Sequence, residues 1–177
     1  MKLYLARHGQ TDWNAEDKAQ GQTDVPLNAT GVKQAEELRE KLKAYDFDIC
    51  YASPLKRAAQ TAEIAVDGRA QIIFEEDLKE RSFGQLEGIS PKEWRVDSLN
   101  LKLNSNEGGM EPIKDVLARS KRVLEKIKSE NSADAKILIV GHGVLLKTMH
   151  FNIVGYDDET DFWSFHLKNG DVVEYDV

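Results

Sequence analysis

Short runs of apolar residues alternate along this chain with longer segments in which apolar residues recur every three or four positions. Uninterrupted apolar runs of this length are typical of strands buried on both faces, and the longer spacing is typical of amphipathic helices. The predicted strands are 2–6, 48–52, 71–74 and 136–140. The predicted helices are 29–45, a helix from 53, a short helix from 90, 112–131 and a helix after 143. This alternation predicts a layered α/β fold.

The predicted helix boundaries depend on local capping signals. Asn28 or Thr30 is a suitable N-cap for the helix that begins at about residue 29. Ser53-Pro54 predicts a helix whose N-cap is the serine and whose first helical residue is the proline. Between the first strand and the first helix, residues 9–28 are predicted to form a long loop.

The last part of the chain has the pattern of a β-hairpin. Trp163, Phe165 and Leu167 alternate with polar residues before Asn169-Gly170, and a second alternating run, 173–177, follows. An Asn-Gly pair between two alternating runs favours a tight hairpin turn. An exposed hairpin edge also leaves open whether the protein is a monomer or a homodimer.

Residues 85–110 have the least regular pattern in the chain. Ser90-Pro91 predicts the start of a short helix that carries Trp94, Leu99 and Leu103, and 104–109 is predicted to be a loop. No repeat or linker divides the sequence. A length of 177 residues is therefore interpreted as one domain, 1–177, large enough to bury a full core.

Composition narrows the class of protein. Apolar residues make up 41% of the chain, but no run approaches the roughly 18 consecutive apolar residues of a membrane span. The start, Met1-Lys2, leads directly into a strand pattern without the features of a signal peptide. A single cysteine, Cys50, has no partner for an internal disulfide and is expected to be a buried strand thiol. These features favour a cytoplasmic protein with no membrane partner.

The charge balance argues against nucleic-acid binding. With 31 acidic and 24 basic residues, the net charge is −7, and a polyanion is repelled by the average field of such a surface. A small phosphorylated metabolite is still compatible with this charge. A few local arginines outweigh a diffuse acidic surface within a Debye length of roughly 10 Å.

Two histidines directly follow predicted strands. His8 lies in Ala6-Arg7-His8-Gly9, and His142 lies in Val140-Gly141-His142-Gly143. Ligands of open α/β sheets gather where the strands end, so two such strands deliver two imidazoles to one edge. Arg7 adds a planar guanidinium, whose N–H donors match the geometry of phosphate oxygens. An unprotonated imidazole beside it is able to attack phosphorus.

Two further residues extend the phosphate chemistry. Arg57 falls in the first turn of the helix after the second strand, where free amide groups favour an anion. Glu80 is one of many acids, and a carboxylic acid facing a phosphate ester is able to protonate the leaving oxygen. Each residue alone also has a structural interpretation: Arg57 as a solvated helical arginine, His142 as an imidazole satisfied in a turn, and Glu80 as a surface acid.

Metal and nucleotide cofactors are not expected. His150 and His166 lack His, Cys or carboxylate partners at ligand spacing, and no paired cysteines occur. The sequence also lacks the glycine-rich loops that bind nucleotide phosphates.

Taken together, the motifs resemble the histidine phosphatase superfamily, the phosphoglycerate mutase-like group. Arg-His-Gly-x-Thr-x-x-Asn stands at 7–14, Ser-Pro-x-x-Arg-x-x-x-Thr at 53–61 and Gly-His-Gly at 141–143. Gln-Gly-x-x-Asp-x-Pro-Leu-x-x-x-Gly at 20–31 and the acid-bearing segment at 78–88 are similar to the same family. The similarity covers most of the chain and is specific in this combination.

This resemblance implies a fold, a mechanism and a role for each matching residue. The implied fold is a three-layer α/β/α sandwich around a mixed, mostly parallel sheet, and the implied chemistry needs no metal. His8 would be the phosphorylated nucleophile and Glu80 the proton donor. The implied phosphate pocket is Arg7, Arg57 and His142, and the implied substrate-binding residues are Asn14, Gln20, Gly21 and Gly143.

Departures from the family pattern bear on the substrate. Only 89–109 occupies the place of the basic insertion that glycolytic mutases carry, and Lys92, Arg95 and Lys102 do not form an Arg-Arg pair. The sequence therefore favours a short phosphatase acting on small phosphomonoesters. The alternatives are a phosphoglycerate mutase-type phosphotransferase or a non-catalytic protein that binds a phosphate ligand. Met110 interrupts the family's Gly-Gly-Glu string, which leaves a ligand role for Glu111 open.

Overall fold

A mixed sheet of five strands organises the computed structural model, which describes residues 1–93 and 106–177. The strands are β1 (Lys2–Arg7), β2 (Ile49–Ala52), β3 (Gln71–Phe74), β4 (Lys136–Gly141) and β5 (Val172–Asp176). Their order across the sheet is β3-β2-β4-β1-β5. The first four strands are parallel, and β5 runs antiparallel to β1 at one edge.

Helices cover both faces of this sheet. They are α1 (Asp12–Ala15), α2 (Ala29–Leu42), α3 (Lys56–Val66), α4 (Ile113–Glu130) and α5 (Gly143–Val154). One face packs against α4 and α5, and the opposite face packs against α2 and α3. The three-layer α/β/α sandwich expected from the family resemblance is therefore confirmed.

Successive side chains of β1 enter opposite layers, which explains its uninterrupted apolar run. Leu3 and Leu5 pack with α4 and α5, whereas Tyr4 and Ala6 pack with α2 and α3. A strand with both faces buried has no polar side to display. Cys50 in β2 is fully buried, as predicted, and burial raises the pKa of its thiol to about 12.

The loop predicted at 9–28 contains a short helix that the apolar pattern does not reveal. Thr11 begins α1 through a capping box with Asn14, two residues that satisfy each other's backbone amides. Asn28 caps α2 as predicted, by accepting a hydrogen bond from the amide of Gly31 at 2.9 Å. That helix ends at Leu42 instead of the predicted residue 45.

The predicted start of α3 is wrong. Neither Ser53 nor Pro54 begins this helix, which starts at Lys56 after Leu55 without a side-chain cap from its own N-cap residue. Asp24 takes the capping role from the 9–28 loop, accepting from the Lys56 amide at 2.7 Å. The Ser53 hydroxyl is instead engaged with an imidazole described below.

The predicted C-terminal hairpin is also wrong, because only its second strand forms. Residues 163–167 make no strand, and β5 has β1 on one side and the sheet edge on the other. Side-chain contacts hold the first run elsewhere: Phe165 stacks on His150 with ring centroids 3.9 Å apart. The turn itself forms, and the Gly170 amide donates to the Arg7 carbonyl at 3.1 Å.

The irregular part of the chain is described only at its ends. Short 3-10 turns span Pro91–Glu93 and Glu107–Gly109. The helix predicted to carry Trp94, Leu99 and Leu103 lies outside the described residues. Within the described ranges, no helix is long and apolar enough to cross a membrane.

We expect Ile139→Ala to lower the free energy of unfolding by about 2–5 kcal/mol, because Ile139 is fully buried in the central strand β4 and truncation leaves a cavity. Val32→Ala on α2, where the side chain is 38% exposed, is the control and is expected to change stability by less than about 0.5 kcal/mol. Urea unfolding of both variants measures the difference. Equal losses would contradict this view of the core.

Candidate active site

Parallel pairing of β1 with β4 brings the two predicted histidines together. Arg7 lies opposite Gly141 in the register, so both strands end at the same level of the sheet. The His8 amide donates to the Gly141 carbonyl at 3.0 Å. The rings of His8 and His142 lie with their centroids 5.1 Å apart, and both residues are buried.

The hydrogen bond of His8 determines which of its ring nitrogens is free. Nδ1 lies 2.6 Å from the Gly9 carbonyl oxygen, which accepts and does not donate. Nδ1 therefore carries the proton of the neutral ring, and Nε2 retains a lone pair. Burial, followed by the charges of Arg57 and Arg7, holds the pKa of His8 well below its usual value. The neutral, nucleophilic form of His8 is the stable one.

Both ring nitrogens of His142 have partners. Nδ1 accepts from Arg57 Nε at 3.2 Å, so Nε2 carries the proton and donates to Ser53 Oγ at 2.8 Å. Burial and the nearby Arg57 charge keep the pKa of His142 well below its usual value. His142 is thus neutral and fixed in orientation. For it to donate to a phosphate oxygen, as the resemblance implies, Nε2 has to leave Ser53.

Arg57 is buried at the start of α3 and is held by groups that only accept. Its Nη1 donates to the Thr23 carbonyl at 2.9 Å, and its Nη2 donates to the Gly21 carbonyl at 2.7 Å. Burial lowers the pKa of Arg57 to about 10, and the group stays protonated at neutral pH. Among the residues that the structure describes, no carboxylate forms an ion pair with Arg57, so its positive charge is available to an anion.

Arg7 is the second cation of the site. Its Nη1 donates to the Leu167 carbonyl at 2.8 Å, whereas its buried Nε has no hydrogen-bond partner among the described residues. Burial lowers the pKa of this guanidinium as well. Gly143, the first residue of α5, lies against the guanidinium: a Cβ at Gly143 would be 3.5 Å from Arg7 Cζ. A buried donor without a partner is uncommon and indicates a place for an acceptor.

Glu80 reaches the same region and caps α5. Its Oε2 accepts from the Val144 amide at 3.1 Å, and its Oε1 accepts from the Leu145 amide at 3.1 Å. Oε1 also accepts from the amide of Arg81 at 2.8 Å. Three N–H donors therefore fix the carboxylate beside Gly143.

Glu111, whose ligand role the sequence left open, forms a partly buried ion pair. Its two oxygens accept from Arg119 at 2.7 and 3.0 Å. Arg119 in α4 also donates to the carbonyls of Asp77 and Lys79, just before Glu80. This pair anchors the acid-bearing segment to α4.

Three residues that were not singled out for chemistry organise the site. Glu87 accepts from the amides of Thr23 and Phe83, and so joins the loop under Arg57 to the acid-bearing segment. Thr61 accepts from the Gly9 amide at 3.0 Å. Asn169 donates to the His8 carbonyl at 2.9 Å. These contacts join segments distant in sequence, so no local pattern reveals them.

The predicted substrate-binding residues lie around this centre. The side-chain oxygen of Asn14 accepts from the Thr11 amide at 3.1 Å, and that of Gln20 accepts from the Thr11 hydroxyl at 2.8 Å. Gly21 supplies the carbonyl that Arg57 contacts, and its φ of +52° favours glycine. Over the ranges that the structure describes, no group of three or more His, Cys, Asp or Glu residues is arranged to hold a metal ion.

We expect Arg119→Met to lower the free energy of unfolding by about 3–5 kcal/mol, because it leaves the Glu111 carboxylate and two carbonyls without their partner. The control is Arg122→Met, since Arg122 pairs with Asp77 on the surface, where such pairs are worth about 0–1 kcal/mol. Chemical denaturation of the two variants gives the comparison. A loss below about 1 kcal/mol for Arg119→Met would contradict an anchoring role.

Comparison with known proteins agrees with this geometry. The chain is 40% identical over 156 residues to the uncharacterized phosphatase PhoE of Bacillus subtilis (88% of this chain, 78% of that protein). It is 31% identical over 195 residues to the 2,3-bisphosphoglycerate-dependent phosphoglycerate mutase of a Methylobacterium species (97% and 94%). The crystal structure of phosphoserine phosphatase from Entamoeba histolytica, in complex with 3-phosphoglyceric acid, superposes with a TM-score of 0.83 at 33% identity (98% and 89%). The sequence model of the histidine phosphatase superfamily (branch 1) matches residues 3–177. This chain belongs to that family.

Proposed function

We propose that this protein is a phosphatase that hydrolyses small phosphomonoesters through a phosphoryl group carried on His8. One observation carries the proposal: a neutral imidazole with Nδ1 held by a carbonyl and Nε2 free, under the charges of Arg7 and Arg57. A nucleophile needs a lone pair, and a phosphate needs cations that stay charged. This pocket supplies both.

In the first step, the Nε2 lone pair of His8 attacks phosphorus, and a P–N bond forms as the ester P–O bond breaks. Arg7 and Arg57 stabilise the negative charge on the transferring oxygens, where fixed donors in a dry site are most effective. Glu80 gives a proton to the leaving oxygen, so that an alcohol departs instead of an alkoxide. To carry that proton, one Glu80 oxygen gives up its amide partners at the start of α5.

In the second step, a water molecule attacks the phosphoryl group on His8. Glu80 takes a proton from this water, the P–N bond breaks, and inorganic phosphate leaves. His142 orients Arg57 through its Nδ1 and, by rotating away from Ser53, offers its Nε2–H to a phosphate oxygen. Asn14, Gln20, Gly21 and Gly143 are assigned to the walls of the phosphate pocket.

The names of the similar proteins support a small phosphorylated substrate. They include a phosphatase, a phosphoserine phosphatase and a mutase. The short 89–109 segment favours hydrolysis, because a mutase has to hold a bisphosphate and therefore needs a second anion site. The cytoplasmic location and the monomeric or homodimeric state stay predictions from the sequence.

We expect His8→Ala to reduce hydrolysis of p-nitrophenyl phosphate by about a thousandfold or more, because the covalent route disappears. The release of p-nitrophenol and the mass of the rapidly quenched protein are measured together. The unmodified chain is expected to gain the mass of one phosphoryl group, and His8→Ala is expected to gain none.

His166→Ala is the matched control, since this imidazole is exposed to solvent and has no role in the proposed steps. It is expected to keep its rate within about twofold. A His8→Ala variant that retained the rate of the unmodified protein would contradict the mechanism. Tight binding of phosphomonoesters with no turnover would favour a non-catalytic phosphate-binding protein.

A phosphoglycerate mutase is the second candidate, because a protein of that name is 31% identical to this chain. Incubation with 3-phosphoglycerate and 2,3-bisphosphoglycerate separates the two activities. We expect inorganic phosphate to accumulate, with 2-phosphoglycerate formed at less than about a hundredth of that rate. Faster formation of 2-phosphoglycerate than of phosphate would establish the mutase instead.

A further inference from the structure

Lys147, in the second turn of α5, is a buried cation for which the proposed mechanism has no use. The residue is 3% exposed, and its Nζ makes no hydrogen bond to any described residue. Burying an ammonium without a hydrogen-bonded partner is costly, and lysine is rarely found in this state. Because Lys147 lies next to a phosphate pocket, a negatively charged ligand that pairs with its ammonium would offset this cost.

The surroundings of Lys147 connect it to the pocket. Gly143, one helical turn earlier on the same face of α5, lies against the Arg7 guanidinium. Trp163 covers the ammonium, with Nζ 4.0 Å from its ring centroid. Four residues beyond Trp163, the Leu167 carbonyl accepts from Arg7. The segment 161–167 therefore runs from Lys147 to Arg7, along one side of the pocket.

We propose that Lys147 and Trp163 form a subsite for a carboxylate on the leaving group, so that the preferred substrates are phosphate esters of small hydroxy acids. This proposal rests on the proposed phosphatase function, and it specifies which phosphate esters the enzyme prefers. When the phosphate lies at Arg7 and Arg57, the alcohol of the ester extends past Gly143 toward Lys147. The ammonium then gains the charged acceptor that it lacks.

The charges near Lys147 suit a monoanion better than a second phosphate. Apart from Arg7, which is committed to the first phosphate, the groups whose charges act on Lys147 are the carboxylates of Asp161 and Glu80. These two negative charges repel a dianion more strongly than a monoanion. One ammonium matches one carboxylate, and the half-exposed Trp163 ring lies over the ammonium.

The decisive test compares two esters that differ only at the carboxylate: 3-phosphoglycerate and glycerol 3-phosphate, in which a hydroxymethyl group replaces it. Lys147→Met keeps the length of the side chain and removes its charge, and Lys147→Arg keeps the charge. We expect Lys147→Met to lower kcat/KM for 3-phosphoglycerate roughly 10- to 100-fold and for glycerol 3-phosphate less than about threefold. Lys147→Arg is expected to restore most of the loss.

Two further readouts separate this subsite from a structural role and from failure of the phosphatase assignment. Thermal unfolding of Lys147→Met is expected at no lower a temperature than that of the unmodified protein, because a buried unpaired charge has been removed. If p-nitrophenyl phosphate is not hydrolysed at all, the phosphatase assignment fails. In that case, the affinity of the same variants for 3-phosphoglycerate, measured by calorimetry, tests the subsite independently of turnover.

The pH dependence of the preference gives an independent check. Burial lowers the pKa of Lys147 to about 8, with Asp161, Arg7 and Glu80 as the charged groups around it and His166 on the segment that covers it. The ratio of kcat/KM for 3-phosphoglycerate to that for glycerol 3-phosphate is expected to fall as pH rises through about 8, where the ammonium loses its proton. Equal losses on both esters in Lys147→Met, or no loss on either, would overturn the proposal.

Discussion

The parallel pairing of β1 with β4 is the constraint on which the rest of the site depends. It ends two buried strands at one level and places two histidines from opposite parts of the chain 5.1 Å apart. His8 is buried at this edge, so its ring stays neutral, and the Gly9 carbonyl fixes which nitrogen is free. The position of the nucleophile, the tautomer of His8 and the orientation of its ring therefore all follow from backbone geometry.

The arrangement of charge follows the same logic. Arg7 and Arg57 are buried against backbone carbonyls, which satisfy guanidinium hydrogens without neutralising them. The acids nearby are directed elsewhere: Glu80 to the start of α5 and Glu111 to Arg119. The result is a pocket with an excess of positive charge in a chain whose net charge is −7. The structure therefore concentrates positive charge in one pocket of a protein whose net charge is negative.

Sequence patterns predicted the parts of this molecule that depend on local or repeated signals. The four parallel strands, α4 and the Asn28 cap were found because apolar spacing and side-chain capping act over a few residues. Ser53 was assigned to the wrong role because its hydroxyl serves His142, 89 residues away. Residues 163–167 alternate like a strand, yet they do not pair with the free edge of β5, because their side chains pack on α5 instead. The contacts of Glu87 with Thr23, of Thr61 with Gly9 and of Asn169 with His8 likewise join distant segments, which local patterns do not reveal.

The contact of Asn169 with the carbonyl of His8 spans 161 positions of sequence. During synthesis, the strand that holds His8 leaves the ribosome first, but β4 and the turn at residue 169 emerge only after most of the chain has been made. Folds built on such remote pairings close slowly, since loop entropy is lost before the contacts are gained. A nascent or truncated polypeptide that lacks this turn therefore has its two arginines but an unfinished pocket, and phosphate chemistry is withheld until folding is complete.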